Sequence, residues 1–188
     1  MNRLDNNRQK QILTALVEGA SLRATSRMVG VSINTVTKLL VDAGRACTEY
    51  QDQALRNLPC KHIQCDEIWS FCYAKEKNVP KDKRGKFGYG NVWTWTAICA
   101  DTKLVPSWLV AERNLTAATA FIQDLASRLK HRVQITTDGH TPYLEAIEVA
   151  YSGTVLFSGI TVIHSVIPVM VCFDITVISC SITGIIAN

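Results

Sequence analysis

The sequence predicts an α/β protein in which a three-helix unit precedes an incomplete mixed sheet with flanking helices. Apolar residues recur at helical spacing in three stretches of the first 45 residues. Four runs rich in β-branched and aromatic residues follow after residue 60, and an amphipathic helical stretch separates the third run from the fourth. The early stretches therefore predict helices, and the later runs predict a sheet whose last strand is reached through a helix.

The sequence predicts four segments: a helical domain at 1–45, a connecting helix or linker at 46–59, a sheet domain at 60–151 and an apolar tail at 152–188. All 20 Lys and Arg residues precede the tail, which contains one charged residue, Asp174. The net charge of +4 is compatible with nucleic-acid binding but does not by itself predict it. Seven cysteines without framework spacing, and no signal peptide, predict reduced thiols and a cytoplasmic location.

The first 45 residues predict three short helices joined by tight turns. A helix over residues 8–17 has one apolar face, and Ser21 is placed to cap the second helix. Gly30 supplies the turn, and Ser32 is placed to cap the third helix. That helix is expected to bury four residues on its inner side: Ile33, Val36, Leu39 and Leu40. A capped helix after a glycine turn is the helix-turn-helix signature.

This signature predicts a surface that binds double-stranded DNA. Arg23 and Arg27 lie where they would contact phosphates, which position a protein without reading base sequence. Five residues occupy the start and the outward face of the third, recognition helix: Ser32, Asn34, Thr35, Thr37 and Lys38. The alternative interpretation is an ordinary three-helix cap that packs on a larger domain.

Two aspartates mark the first and the fourth predicted strands. Asp66 lies within the apolar run 62–73, and Asp138 follows the short run 133–137. Strand alternation puts Asp66 and Glu67 on opposite faces of the first strand, and we expect Asp66 to face the site. The order of three strands, a helix and a strand, with acids on the first and the fourth, is that of the ribonuclease H fold. Paired carboxylates of this kind prefer hard divalent cations.

A basic loop connects the first two predicted strands. Residues 75–90 hold six basic residues and three glycines against only Glu76 and Asp82. This pattern predicts either a solvated hairpin tip or a contact with the DNA backbone. Farther along the chain, Thr116 is expected to cap the amphipathic helix, and Pro142 is expected to open the last helix.

Three motifs carry a resemblance to a known family: Cys65-Asp66-Glu67-Ile68-Trp69-Ser70-Phe71, Trp93-Thr94-Trp95-Thr96-Ala97-Ile98, and Thr136-Thr137-Asp138-Gly139-His140 with Tyr143. With these motifs in this order after a helix-turn-helix, residues 8–151 resemble the DDE transposases of the bacterial insertion-sequence-one family. The resemblance implies that Asp66 and Asp138 are the first and second catalytic acids and bind Mg²⁺ or Mn²⁺. It also implies cleavage and joining of double-stranded DNA at insertion-sequence ends. A homodimer that holds two ends, and no membrane association, is expected.

Two features depart from the family pattern. Residues 1–20 contain no cysteine-rich zinc element, and no glutamate occurs at 159–165, where the third catalytic acid is expected. Glu145 and Glu148 follow Asp138 too closely to take that place. We therefore expect DNA binding with little or no strand transfer. Two alternatives stay open: a DNA-binding remnant that represses transposition or transcription, and a transcription regulator with a ligand-binding domain.

The tail 152–188 is dominated by Ile, Val, Thr and Ser. We interpret it as the product of a shifted reading frame or of a fused neighbouring segment. A membrane span is disfavoured, because Gly, Ser, Thr, His164 and Pro168 dilute the hydrophobicity and the flanks lack anchoring residues. The β-branched runs instead predict aggregation-prone strands.

The frameshift interpretation is tested by the nucleotide sequence downstream of codon 151, translated in all three frames. We expect another frame to encode a charged, helical segment with a glutamate in the place of the third acid. If no other frame encodes such a segment, the tail belongs to the protein and the frameshift interpretation is wrong.

Overall fold

The computed structural model describes residues 4–86 and 88–151. In chain order, the helices and strands in these ranges are α1 (Asn6–Val17), α2 (Leu22–Val29), α3 (Ile33–Ala54), β1 (His62–Cys72), β2 (Gly90–Cys99), β3 (Ser107–Ala111), α4 (Leu115–Arg128), β4 (Gln134–Thr136) and α5 (Pro142–Tyr151), with a short 3-10 helix at Glu76–Asn78. The predicted α/β class and the order of the elements are confirmed. The interpretations of the tail concern residues outside these ranges. Within the ranges, no helix is both long enough and apolar enough to cross a membrane.

The described residues form two compact units. The helical unit contains residues 4–50 and Cys72–Gly90, and the sheet unit contains Gln51–Phe71 and residues 91–151. Helix α3 runs without interruption to Ala54. The connecting segment expected at 46–59 therefore begins as the last turns of the third helix.

The helical unit has the caps that the sequence predicts. The hydroxyls of Ser21 and Ser32 each accept a hydrogen bond, at 3.2 Å, from the amide three residues later. Gly30 ends α2 with φ of 68°, a left-handed conformation that a residue without a Cβ adopts at low cost. The core of the unit consists of Ile12, Leu16, Val36 and Leu40. The predicted burial of Ile33 is wrong: it is 39% exposed, because the core contacts of α3 begin one turn later.

The four strands form one mixed sheet in the order β3-β2-β1-β4. Strand β2 pairs antiparallel with β3, and β4 pairs parallel with β1. Contacts between β1 and β2 also run antiparallel: the Ala100 amide donates to His62 O at 2.9 Å, and the Ser70 hydroxyl donates to Val92 O at 3.2 Å. Parallel strands need a crossover connection, which α4 provides. This arrangement is compatible with a ribonuclease-H-like fold.

One face of the sheet carries the core of the sheet unit. Trp95 of β2 is fully buried and lies 6.0 Å from the ring of Phe121 and 5.4 Å from the ring of Tyr143, measured between centroids. Side chains alternate between the two faces of a strand, and residues three or four positions apart lie on the same face of a helix. Each element can therefore contribute one apolar face to the core. The other large members of this core are Ile63, Cys65, Ile122, Leu125, Ile135 and Ile147.

Helix α4 begins earlier than predicted. Asn114, not Thr116, is its N-cap, because the Asn114 side-chain oxygen accepts a hydrogen bond from the Ala117 amide at 2.9 Å. The backbone at Asn114 is extended, with φ of −139°, as a cap requires, whereas Thr116 already lies in the first helical turn. Pro142 opens α5 as predicted.

A buried arginine holds the end of α4 in place. Arg128 donates to both carboxylate oxygens of Asp124, at 2.8 and 2.9 Å, and to the Asp52 side chain at 3.2 Å. The Ser107 hydroxyl of β3 also donates to Asp124, at 2.6 Å. Burial by itself raises the pKa of Asp124, but these hydrogen bonds and the charge of Arg128 outweigh burial and hold the pKa below its ordinary value.

We expect Asp124→Asn to lower the free energy of unfolding at neutral pH by roughly 1.5–3 kcal/mol, the range for hydrogen bonds to charged groups. Because folding lowers the pKa of Asp124, its contribution is present above the unfolded pKa and is lost as the pH falls through the folded pKa. The difference between Asp124→Asn and the unaltered chain in urea unfolding should therefore shrink towards acidic pH. Asp82→Asn, in an exposed loop, is the control. A pH-independent difference would contradict this account.

Candidate functional site

The register between β1 and β4 brings Asp66 and Asp138 to the same level of the sheet. Gln64 of β1 pairs with Thr136 of β4, and the two strands are parallel. Asp66 and Asp138 each lie two residues beyond that pair, so their side chains start from neighbouring positions on the same face. The structure therefore brings together the two acids that the sequence singles out.

Asp66 is a half-buried carboxylate that is harder to ionise than an ordinary aspartate. Burial is the largest cause that raises its pKa, and the negative charges of Asp138 and Glu67 raise it further. The Glu67 amide, which donates to Asp66 Oδ1 at 2.8 Å, and the charge of Arg113 act in the opposite direction. The balance is unfavourable to a further negative charge, so the site would gain from a bound cation.

Asp138 is held just after the end of β4 by two donors. Its Oδ1 accepts a hydrogen bond from the His140 amide at 3.0 Å, and its Oδ2 accepts one from Arg113 Nη2 at 3.4 Å. The intervening Gly139 has φ of 85°, which favours a residue without a Cβ. A local turn, rather than a regular strand, thus fixes the direction of this carboxylate.

Glu67 and Arg113 are site residues that the sequence analysis missed. The Glu67 side chain is 1% exposed, and its Oε2 accepts a hydrogen bond from Arg113 Nε at 2.9 Å. Strand alternation already put Glu67 on the face of the buried Cys65, and a carboxylate on a buried face requires a cationic partner. That signal was present in the sequence, but nothing in the sequence identified Arg113, which follows β3, as the partner.

Buried polar groups lie behind the acidic pair. Three of them are Glu67 Oε1, His140 Nε2 and the Tyr143 hydroxyl. Burial is the largest cause that raises the pKa of Tyr143 well above its ordinary value, and the negative charge of Glu67 raises it further. A hydrogen bond from the Tyr143 hydroxyl to the Glu67 carboxylate is among the causes that raise the pKa of Tyr143. Tyr143 is therefore a neutral phenol, and it packs edge-on against Trp95. It shapes the back of the site rather than supplying charge.

The donor chemistry of the pair fits a hard divalent cation. Asp66 and Asp138 present carboxylate oxygens, which Mg²⁺ and Mn²⁺ prefer. Within residues 4–86 and 88–151, however, no three His, Cys, Asp or Glu residues are grouped so that they could hold a metal ion. Glu145 and Glu148 are exposed on α5, and Glu67 is engaged by Arg113. The described part of the chain thus supplies two acids for such an ion.

The predicted DNA-binding residues lie in the helical unit and differ in exposure. Arg23, Arg27, Ser32, Asn34 and Lys38 are exposed, whereas Thr35 and Thr37 are partly buried. The hydroxyls of Ser32 and Thr35 share a hydrogen bond of 2.9 Å, and Lys38 Nζ lies 3.0 Å from the carboxylate of Asp42. Both groups of the Lys38 pair are largely exposed, so this ion pair is weak and Lys38 can exchange it for another anion.

The basic loop is also part of the helical unit. Lys83 Nζ lies 4.9 Å from the ring centroid of Tyr73 and 5.1 Å from that of Tyr89. Arg84 donates to the carbonyl oxygens of Val79 and Lys77, at 3.1 and 3.5 Å. Lys83 and Arg84 are therefore engaged by contacts in the loop and with the residue Tyr73 just before it.

Comparison with models of protein families gave no match. Comparison with curated proteins also gave no match. Among solved structures, a chain in the crystal structure of the Mos1 strand transfer complex is similar, with 13% sequence identity and a TM-score of 0.33. The match covers 81% of this chain and 58% of that chain. The chain thus spans less than two thirds of that protein's length, and a similarity this distant does not establish a family.

The pairing of the two acids leads to a prediction for the ionisation of Asp66. We expect Asp138→Asn to lower the pKa of Asp66, because the substitution removes a negative charge that raises it. Carboxyl ¹³C NMR over a pH series measures this pKa. Asp101→Asn is the control, since Asp101 pairs with His62 at the start of β1 and should leave the pKa of Asp66 unchanged. A pKa of Asp66 that stays the same or rises in Asp138→Asn would show that the two carboxylates do not interact.

Proposed function

We propose that this chain is a DNA-binding protein of the DDE transposase type that holds divalent metal between Asp66 and Asp138. The observation that supports the proposal is the parallel register of β1 and β4, which aligns two carboxylates from distant parts of the sequence. A carboxylate whose pKa is raised by burial and by like charges favours a cation. The motif resemblance to the bacterial insertion-sequence-one family gives the same assignment.

In this proposal the two aspartates bind the metal and the chain orients DNA beside it. A metal bound there would supply Lewis acidity for phosphoryl transfer, in which an attacking and a leaving oxygen must both be stabilised. Water would be the nucleophile in strand cleavage, and a DNA 3′-hydroxyl would be the nucleophile in strand joining. Asp66 has a rigid support in β1, and the turn at Gly139 sets the direction of Asp138.

The helical unit supplies DNA recognition in this proposal. Arg23 and Arg27 bind phosphates of the insertion-sequence ends, and the exposed Asn34 and Lys38 lie one turn apart on α3, where they meet base edges. Thr37 lies beside them, and Ser32 and Thr35 stabilise the start of the helix. Because transposition requires two ends to be held together, the active form is proposed to be a homodimer.

We further propose that the chain transfers strands poorly or not at all. No group of three potential metal ligands occurs in the described ranges, whereas the family pattern requires three acids. A remnant that represses transposition by occupying DNA remains the second candidate function, because it needs DNA binding but no metal. Metal affinity is therefore the property that separates the two candidates.

The test measures Mn²⁺ binding by the full chain with isothermal titration calorimetry. We expect Asp66→Asn and Asp138→Asn each to weaken Mn²⁺ binding by at least about tenfold, since loss of even an outer partner of a metal costs that much. Asp101→Asn, a turn residue distant from the pair, should bind Mn²⁺ as the unaltered chain does. If the unaltered chain binds no Mn²⁺ but binds duplex DNA, the repressor function replaces the transposase function.

The same preparations then test catalysis and DNA binding. With Mg²⁺ and duplex DNA carrying the element ends, we expect binding without detectable strand transfer. Strand cleavage at a rate comparable with that of an intact relative would overturn the proposed inactivity. An absence of any duplex binding would overturn both candidate functions.

A further inference from the structure

Glu67 is a buried carboxylate, and Arg113 is its ion-pair partner within the described residues. The Glu67 side chain is 1% exposed, and Arg113 Nε lies 2.9 Å from Glu67 Oε2. Removing a carboxylate from water costs several kcal/mol unless a cation and hydrogen bonds compensate, so this contact must persist while the unit is folded. Glu67 therefore acts as the anchor of the Arg113 guanidinium.

The guanidinium is also fixed from a second side. Arg113 Cζ lies 5.0 Å from the ring centroid of Trp93, a distance at which a cation and an aromatic face attract each other. The Arg113 side chain is nevertheless 33% exposed. An arginine held by a buried carboxylate and an aromatic ring keeps one planar orientation, and part of its side chain stays exposed to solvent.

The third contact of Arg113 is the weakest. Arg113 Nη2 lies 3.4 Å from Asp138 Oδ2, longer than the 2.9 Å contact with Glu67. A guanidinium carries five N–H donors, and no hydrogen bond from Nη1 is made within the described ranges. Arg113 is thus held mainly by Glu67 and only weakly by Asp138. Guanidinium N–H groups beside the acidic pair remain available as donors.

We propose that Arg113 binds a phosphate of the DNA strand beside Asp66 and Asp138, and that Glu67 is the positioning residue that holds it there. The inference rests on the proposed function, because it requires DNA at the acidic pair. A planar guanidinium matches the geometry of a phosphate, and a fixed one loses little freedom on binding. A cation bound by Asp138 would replace the weak contact with Arg113, and the freed N–H donors would then be available to the phosphate.

The first experiment measures binding of a short fluorescein-labelled DNA duplex to the full chain by fluorescence anisotropy. The buffer contains Ca²⁺, a hard cation that carboxylates bind, and the salt concentration is varied. We expect Arg113→Gln to weaken binding about tenfold, the loss of one charged hydrogen-bonding contact. The slope of log affinity against log salt should fall in magnitude by about 1, the value for one phosphate contact. Arg113→Lys should restore the salt dependence but only part of the affinity, because an ammonium group keeps the positive charge but lacks the paired N–H donors of a guanidinium.

Lys61→Gln is the matched control, because it removes one exposed positive charge from the same unit at the far end of β1. It should leave the affinity and the salt slope as they are in the unaltered chain. An equal loss in Lys61→Gln would mean that any cation of this unit contributes, and would overturn a specific role for Arg113.

Glu67→Gln tests the positioning role. It keeps the size of the side chain and removes the charge that anchors Arg113, so duplex affinity should fall in the same direction as in Arg113→Gln. The double variant Glu67→Gln/Arg113→Gln should bind no more weakly than Arg113→Gln alone, because Glu67 acts through Arg113. Thermal unfolding establishes which variants are folded. If Glu67→Gln does not fold, the comparison of Arg113→Gln with Arg113→Lys decides the proposal.

Two contrary results are distinguishable. If Arg113→Gln binds the duplex with unchanged affinity and unchanged salt slope, while its Mn²⁺ affinity rises, Arg113 is only the counter-ion of Asp138 and the present proposal fails alone. If the unaltered chain binds no duplex under any of these conditions, the proposed function fails and this proposal fails with it.

Discussion

Three residue pairs between β1 and β4 align the two parts of the sequence that carry the acidic site: His62 with Gln134, Ile63 with Ile135, and Gln64 with Thr136. The middle pair is buried in the core, at 0% and 4% exposure, so hydrophobic packing holds the register. A slip of one residue would turn Asp66 to the opposite face of the sheet and bring Glu67 into its place. The position of the carboxylates therefore depends on hydrophobic burial of Ile63 and Ile135, outside the charged site itself.

The electrostatic consequence of this register is a site with three carboxylates and one guanidinium. Burial and like charges raise the pKa of Asp66. A carboxyl whose pKa is raised by folding contributes stability below its unfolded pKa and loses it as the pH rises through the folded pKa. At neutral pH the ionised Asp66 carboxylate thus opposes folding locally, and the rest of the sheet unit must compensate. A raised pKa of this kind is typical of functional sites, and a bound cation would offset the unfavourable negative charge.

Elsewhere in the sheet unit the charges are arranged for stability. Arg128 meets Asp124 through two short hydrogen bonds and reaches Asp52 as well, and the pKa of Asp124 is lowered. Arg113 has the opposite arrangement, because it is held firmly by Glu67 and only loosely by Asp138. An arginine–carboxylate pair therefore stabilises the fold at the C-terminal end of α4. Before the N-terminal end of α4, the pair of Arg113 and Asp138 leaves guanidinium N–H donors available.

Much of the fold followed from the sequence, because periodicity and local hydrogen bonding are encoded by neighbouring residues. Alternation and helical spacing predicted the strands and helices, hydroxyl and glycine positions predicted the turn at Gly30 and its flanking caps, and two isolated aspartates predicted the acidic pair. The tertiary structure decided that Asn114 caps α4, that Ile33 is exposed, and that Arg113 is the partner of Glu67. A sequence pattern records which face of an element is buried, whereas the residue that meets that face depends on strand order and register.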